Sequence, residues 1–229
     1  MRKIKKFKIP IYSYEILRKS RKAGADLGSV GLDNDRDFKE YVSQLASAIE
    51  PAVVFGYFPT DDPDTAVLSY REKKPLTIAM LTLGNAIYEK TCEETDESRK
   101  TVNITAVSVF AASAAKVISD IASQEAIPEG FELSEPFYIY SCPEQTRLSI
   151  NAGKKDNSSM PLFNIEQEEE RNDLNDQEMT LYRDDMTRAL FRRLEAGKIG
   201  MSLDGNSIMP KYSSIFAFEW IVRKNRQNR

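Results

Sequence analysis

Residues 196–220 read AGKIGMSLDGNSIMPKYSSIFAFEW, and this stretch contains two predicted strands separated by an irregular turn. The strands are KIGMSL and SIFAFEWIV, whose apolar and aromatic residues are typical of a sheet. Between them lie an Asp-Gly-Asn turn, a Met-Pro pair and two adjacent serines. Packing of a hydrophobic core does not require this order of residues, so we consider the turn a candidate functional site.

The segment before this stretch is predicted to be a loop followed by a helix. Residues 151–179 are polar and acidic, which is typical of an acidic insertion or a surface loop. Residues 180–197, TLYRDDMTRALFRRLEAG, show the apolar spacing of an amphipathic helix with a glycine as its stop. The side chains expected to face inward are Leu181, Met186, Leu190, Phe191 and Leu194.

The N-terminal part of the chain predicts further helices and strands. Residues 12–24 read as a short helix that ends at a glycine, and residues 36–50 as an amphipathic helix. Residues 104–126 are rich in Ala and Ser, and such a helix can approach another helix or a sheet closely. The apolar runs AVVFGYFP and PLTIAMLTLG predict buried strands, and EPFYIYSCPEQTRLSIN predicts one or two more.

Two charged segments are expected to be less regular. Residues 85–100 are predicted to begin as a helix and to end in a charged face. The charge of MRKIKKFK at the start of the chain is typical of a solvated tail, while the alternating charged and apolar residues of KKFKIPIYS predict a first strand or an extended lead-in. In total the patterns give three or four long helices and about six short strands, segregated rather than alternating. We therefore expect a single α+β domain over residues 1–229, with a twisted, mostly antiparallel sheet and flanking helices.

Composition narrows the class of protein. The 229 residues carry a net charge of −3, which argues against non-specific nucleic-acid binding. There is no run of about 18 apolar residues and no signal-peptide pattern, so we expect no membrane partner and a cytoplasmic location. Cys92 and Cys142 match no metal-ligand spacing and are interpreted as free thiols.

The chain has no histidine, and this removes several kinds of chemistry. Ser-His-Asp catalysis, His-ligated zinc and a His ligand to cobalt cannot come from this chain. The phosphate-binding glycine motifs, the CxxC motif and the EF-hand loop are missing from the sequence as well. Residues 61–64, DDPD, read as an acidic turn rather than as a carboxylate site.

The segment from Leu190 to Ser214 resembles the end of the reactivation domain of cobalamin-dependent methionine synthase, which binds S-adenosylmethionine (AdoMet). In that family a helix ending in Leu-Phe-x-x-Leu is followed by Ile-Gly-x-x-Leu, then by Met, Pro and Ser-x-Ser. Weaker matches at LTLG, RLSINA and MPLFNIEQ extend the resemblance over roughly residues 75–218. The residues of this chain that carry the main match, with one residue fewer between Met and Pro, are Leu190, Phe191, Leu194, Ile199, Gly200, Leu203, Met209, Pro210, Ser213 and Ser214.

The resemblance implies a function. Family members dock over a corrinoid on a partner domain, where the inactive cofactor is reduced by a flavin-type electron donor and methylated from AdoMet. The partner implied here is a corrinoid protein or a split methionine synthase, and Arg147 would pair with the AdoMet carboxylate. The cofactor-binding residues implied by the resemblance are Arg147, Ser149, Asn151, Asp204, Met209, Pro210 and Ser213.

The chain also departs from the family pattern at positions that bear on the ligand. The Pro-Gly-Tyr that follows the family arginine is replaced by residues 150–152, Ile-Asn-Ala, and its Thr-x-Ser by residues 204–206, Asp-Gly-Asn. A helix glutamate of the family aligns with Lys116. Two hypotheses therefore stay open: a stand-alone reactivation domain that uses AdoMet, or a non-enzymatic interaction protein on the same scaffold.

Overall fold

The computed structural model describes residues 1–63, 74–140, 176–205 and 207–223. The helices are α1 (Ser13–Lys22), α2 (Asp35–Ala46), α3 (Ala86–Cys92), α4 (Glu97–Ala126) and α5 (Asp176–Arg193), with a 3-10 turn at Ala196–Ile199. The strands are β1 (Arg2–Lys5), β2 (Ala52–Phe58), β3 (Leu76–Thr82), β4 (Phe131–Leu133), β5 (Phe137–Tyr140), β6 (Ser202–Asp204), β7 (Ser207–Met209) and β8 (Ser213–Val222).

One antiparallel sheet organises the fold, and β8 lies at its centre. Strands run in the order β1, β2, β3, β8, and both β4 and β5 pair with the far edge of β8. The β3–β8 pairing extends from Leu76 opposite Glu219 to Thr82 opposite Ser213. Strands β6 and β7 form a separate hairpin. The prediction of an α+β fold with a mostly antiparallel sheet is confirmed.

Helices cover both faces of the sheet. On one face, Phe55, Leu81 and Phe216 pack against the alanines of α4 in a single cluster. On the other face, Val54 and Met80 belong to a cluster built from α5, the β6–β7 hairpin and β5. Because both faces are covered, the central strands are almost continuously buried, as the apolar sequences of β2 and β3 predicted.

The alanine-rich helix α4 approaches the sheet closely, as predicted. Ala114, Ala115 and Ala122 are buried against the sheet, since small side chains permit this approach. The helix begins at residue 97, earlier than expected, because the Asp96 side chain caps it by accepting a hydrogen bond of 2.9 Å from the Arg99 backbone N–H. The charged residues assigned to a surface face therefore form its first turn.

Helix α4 is also the one helix in the described chain that is long and apolar enough to cross a membrane. Of its apolar window, 56% is buried within the fold. Helices α1 and α2 cover its N-terminal half, where Ile16, Phe38 and Phe110 share a third cluster. Helix α4 is therefore packed between the sheet and helices α1 and α2, as the core helix of a soluble protein is.

Several local predictions need correction. The basic start of the chain forms strand β1 rather than a solvated tail, and Lys3 is the register partner of Val54 in β2. Strand β4 was not anticipated, and residues 176–179, assigned to the acidic loop, form the first turn of α5. The predicted strand KIGMSL is instead a 3-10 turn followed by β6, because Gly200 adopts a positive φ of 79° and breaks the extended run. Met186 and Leu190 of α5, and Leu194 directly after it, are buried as predicted, whereas the side chain of Leu181 lies outside those described.

Candidate functional site

The predicted ligand-binding segment folds as the β6–β7 hairpin followed by a tight turn into β8. Leu203 and Ile208 are register partners, and both pack on the α5-side core. Successive side chains of a strand point to opposite faces, so the other pairs of the hairpin face away from this core. The outward face of the hairpin therefore consists of Ser202, Asp204, Ser207 and Met209.

The turn from β7 into β8 is held by hydrogen bonds within the fold. The Met209–Pro210 peptide bond is cis. The Ser213 hydroxyl donates a hydrogen bond of 2.6 Å to the Pro210 carbonyl oxygen. The Leu83 backbone N–H donates to the Tyr212 carbonyl oxygen at 3.2 Å, which links the turn to the end of β3. The turn is thus a fixed part of the sheet edge.

Tyr212 connects this turn to the helical core. Its ring is buried and packs edge-on against Tyr88 of α3, with ring centroids 5.4 Å apart. An aromatic pair of this geometry contributes about 1 kcal/mol beyond its buried area. The MPKYSS sequence, residues 209–214, therefore buries Tyr212 and the two serines and leaves its Met-Pro end half-buried.

The predicted site residues in this segment occupy three different environments. Asp204 is exposed near the tip of the hairpin, and Met209 is half-buried on the same outward face. Pro210 is half-buried in the turn. Ser213 is buried, and its hydroxyl donates a hydrogen bond within the turn. The structure brings together Asp204 and Met209 but not Ser213.

The remaining predicted site residues, Arg147, Ser149 and Asn151, lie outside the described residues. AdoMet presents an ammonium group, a carboxylate and an adenosyl group. Asp204 could accept hydrogen bonds from the ammonium, and Met209 offers apolar surface to the adenosyl group, so these two residues fit the ligand. Ser213 is buried, and its hydroxyl proton is donated to Pro210, so only its lone pairs could take part in a hydrogen bond to the ligand.

A buried ion pair near α5 was missed at the level of the sequence. The Asp62 side chain is 3% exposed, and its Oδ2 lies 2.5 Å from Nη1 of Arg193. The Arg193 guanidinium carbon also lies 4.5 Å from the centroid of the Phe58 ring, which is a cation–π contact. Residues 61–64 were predicted to be an acidic turn, and only the fold of the chain brings the partly exposed Arg193 to the buried Asp62.

Two tyrosines have raised pKa values. Burial raises the pKa of Tyr138 in β5 to about 12. Burial, followed by the negative charge of Glu94, raises the pKa of Tyr41, whose hydroxyl donates a hydrogen bond of 2.7 Å to Asn103. Both phenols stay protonated at neutral pH, so neither is prepared to act as a base there.

Metal chemistry finds no support in the described residues, among which no group of three or more His, Cys, Asp or Glu could hold an ion. Cys92 is an exposed free thiol at the end of α3, in agreement with its predicted state. Comparisons of the sequence with protein-family models and with curated proteins returned no match.

Proposed function

We propose that this chain is a relative of the methionine synthase reactivation domain and assists reductive methylation of a corrinoid held by a cytoplasmic partner protein. The proposal rests on the segment from α5 to β8, in which the residues that carry the resemblance form one continuous unit. The antiparallel α+β architecture agrees with the fold that the resemblance implies. A shared fold by itself does not establish a function, so the ligand-facing residues decide the question.

The outward face of the hairpin is the observation that carries this proposal. Asp204 and Met209 lie on that face, beside the strand that enters the centre of the sheet. AdoMet, when bound, would supply the methyl group that the partner's corrinoid receives. In this arrangement Asp204 would hold the ammonium group, and Arg147 would hold the carboxylate through charge-assisted hydrogen bonds.

Ligation of cobalt by histidine and the supply of electrons are left to partner proteins in this proposal. With no histidine, the chain offers no imidazole to cobalt, so any such ligand belongs to the corrinoid protein. A flavin-type electron donor is part of the proposal because the resemblance to the reactivation domain implies one. The role left to this chain is to bind and orient the methyl donor over a docked partner.

Calorimetric titration of the full chain with AdoMet tests this function. We expect a saturable heat of binding that Arg147→Ala abolishes and Asp204→Asn weakens by about tenfold, since a charge-assisted hydrogen bond contributes roughly 1.5–3 kcal/mol. Asp185→Asn removes the same charge at an exposed site on α5 and should leave the titration unchanged. A flat titration of the wild-type chain with millimolar AdoMet would contradict the proposal.

A second candidate is a non-enzymatic interaction protein on the same scaffold, with AdoMet binding lost. The inward orientation of Ser213 favours this function, because a residue of the family's binding motif is used to hold the turn. The acidic composition of residues 166–178 is also suited to docking on a basic surface.

The two candidates differ in what binding to a corrinoid protein requires. An interaction protein would bind the cobalamin-carrying fragment of methionine synthase with equal affinity in the presence and absence of AdoMet. A reactivation module would bind it more tightly when AdoMet is present, since the two ligands would be coupled. Surface plasmon resonance with and without AdoMet separates these outcomes, and no binding in either condition would exclude this partner for both.

A further inference from the structure

The N-terminal segment concentrates positive charge on an acidic protein. Residues 1–22 carry nine Lys or Arg and a single acidic residue, Glu15, which gives a net charge of +8 on a chain whose net charge is −3. Seven of the nine basic residues lie on β1 or α1, and Lys6 and Lys8 lie in the segment that joins them. Such a separation of charge creates a field that attracts anionic surfaces even though the whole protein is acidic.

One ion pair and several apolar contacts hold the N-terminal segment against the core and the long helix α4. The Arg2 side chain pairs with Glu125, near the C-terminal end of α4, at 2.6 Å. Phe7 packs on the sheet-side core, and Ile9 contacts that core and the helical one. Ile16 is fully buried against the N-terminal half of α4. The basic residues between these anchors therefore follow the helix along the outside of the fold.

The outward stripe of α1 combines apolar and basic side chains. Tyr14, Arg18, Arg21 and Lys22 are exposed at the spacing of a helix face, while Ile16 and Ser20 face inward. Just before the first turn, Ile11 and Tyr12 are each 47% exposed, and Tyr14 is 76% exposed. Three large apolar or aromatic side chains thus project to solvent within four residues, directly beside a basic helix face.

Several of these cations are available to a partner. The Glu15 carboxylate pairs with Lys19 at 2.9 Å. Lys6, Lys8, Arg18 and Arg21 make no ion pair with an acidic side chain in the part of the chain that the structure describes. Along the chain, Lys6 and Lys8 precede the exposed group Ile11, Tyr12 and Tyr14, and Arg18 and Arg21 follow it.

We propose that the outward stripe of α1, with the adjacent Lys6–Tyr12 segment, binds the surface of an anionic lipid bilayer. Tyrosine prefers the headgroup level of a membrane, and an exposed isoleucine gains by entering the acyl boundary. Lysine and arginine beside them are attracted by anionic headgroups. A single-stranded nucleic acid would explain the cations and a stacked tyrosine, but it gives no account of exposed Ile11, and this decides in favour of the bilayer.

Binding of this type is peripheral and reversible. It needs no membrane-spanning helix, and α4 stays buried within the fold. Each Lys or Arg near an anionic surface contributes about 1 kcal/mol, or roughly a fivefold gain in affinity. The attraction weakens as salt is added, because the surface potential is screened over about 8–10 Å.

Flotation of the full chain with lipid vesicles tests the proposal. We expect the chain to bind vesicles of equal parts phosphatidylcholine and phosphatidylserine, and to bind neutral phosphatidylcholine vesicles far less. Replacing Arg18 and Arg21 by Gln should lower the affinity by roughly 30-fold. Replacing Ile11 and Tyr14 by Ser keeps the charge and should lower it by about tenfold, which measures the apolar contribution.

The matched control removes the same charge from another surface. Arg188 and Arg192 are exposed on α5, on the opposite side of the sheet, and the double change to Gln should leave vesicle binding unchanged. An equal loss in this control, or no binding of the wild-type chain to anionic vesicles at low salt, would overturn the proposal. Retention of the chain by a single-stranded RNA, with none by vesicles, would do the same and would identify the stripe as a nucleic-acid site.

Discussion

The Ser213 hydroxyl oxygen lies 2.6 Å from the Pro210 carbonyl oxygen, and this hydrogen bond closes the turn through which the chain enters its central strand. The same turn accepts a backbone hydrogen bond from Leu83 at the end of β3. The serine is buried and the proline is half-buried. A sequence motif that resembles a ligand site therefore has a defined structural task in this protein.

Ser213→Ala should destabilise the protein by about 1 kcal/mol, because the Pro210 carbonyl loses its donor in a partly buried turn. Urea unfolding followed by circular dichroism measures the change in the free energy of unfolding. Ser207→Ala removes a hydroxyl from the outward face of the hairpin and should change stability by less than about 0.5 kcal/mol. Equal stability of the two variants would show that the hydrogen bond does not hold the turn.

Arg193→Gln should destabilise the protein by about 2–3 kcal/mol, since it removes the guanidinium that lies 2.5 Å from the buried Asp62 carboxylate. Arg193 is partly exposed, which places the value below that of a fully buried pair. Arg192→Gln changes the exposed neighbour and serves as the control. Chemical denaturation gives both values.

The double variant Asp62→Asn/Arg193→Gln separates loss of the pair from the cost of a lone buried charge. It should be more stable than Arg193→Gln alone, because the buried carboxylate that lost this guanidinium is replaced by a neutral amide. A double variant that is less stable than either single one would mean that the two residues act independently.

Tyr138 should make the protein less stable at alkaline pH. Its pKa is raised from 10.0 to about 12, so the folded state keeps a proton that the unfolded state releases. This stabilisation is fully present below pH 10 and is lost as the pH rises through about 12, by up to roughly 2 kcal/mol. Urea denaturation at a series of pH values should show a shallower alkaline decline for Tyr138→Phe than for wild type.

Tyr14→Phe provides the control for this titration, because Tyr14 is largely exposed on α1. Its alkaline decline should match that of the wild-type protein. If Tyr138→Phe also follows the wild-type curve, the phenol of Tyr138 ionises equally in the folded and unfolded states.

Ala114→Leu should destabilise the protein by roughly 1–3 kcal/mol, since the added atoms have no room between α4 and the sheet. Ala112→Leu makes the same change at an exposed position of the same helix and should alter stability by less than about 0.5 kcal/mol. Thermal unfolding of the two variants measures the difference. Equal melting temperatures would indicate that α4 is not packed closely against the sheet.

Helices and buried strands could be predicted because their patterns are local. The spacing of Phe38, Val42 and Leu45 identifies α2, and the small residues of α4 indicated its close packing. The short strands were harder to predict, since β4 has three residues and β1 is mostly charged. A short or charged strand forms because a neighbouring strand provides hydrogen-bond partners, and its own sequence does not show which strand will lie beside it.

The sequence predicted where the candidate site lies in the chain, but not which of its side chains are buried. The Met-Pro-x-x-Ser-Ser order indicated an irregular turn before a strand, and the structure has a turn there. Strand β8 is buried on both faces, so its sequence does not alternate between apolar and polar residues. Without that alternation, the sequence could not show that Ser213 is buried. Burial of Asp62 likewise depends on α5, more than 100 residues away.

The position of β8 has a consequence for folding during synthesis. It is the last of the described strands to leave the ribosome, yet it pairs with β3, β4 and β5. Until residues 213–222 emerge, β3 has an open edge, and β4 and β5 lack the strand to which they hydrogen-bond. Unpaired edges of this kind are sites of aggregation. A nascent chain stalled before residue 213 should therefore be a client for chaperones, and completion of one strand should release it.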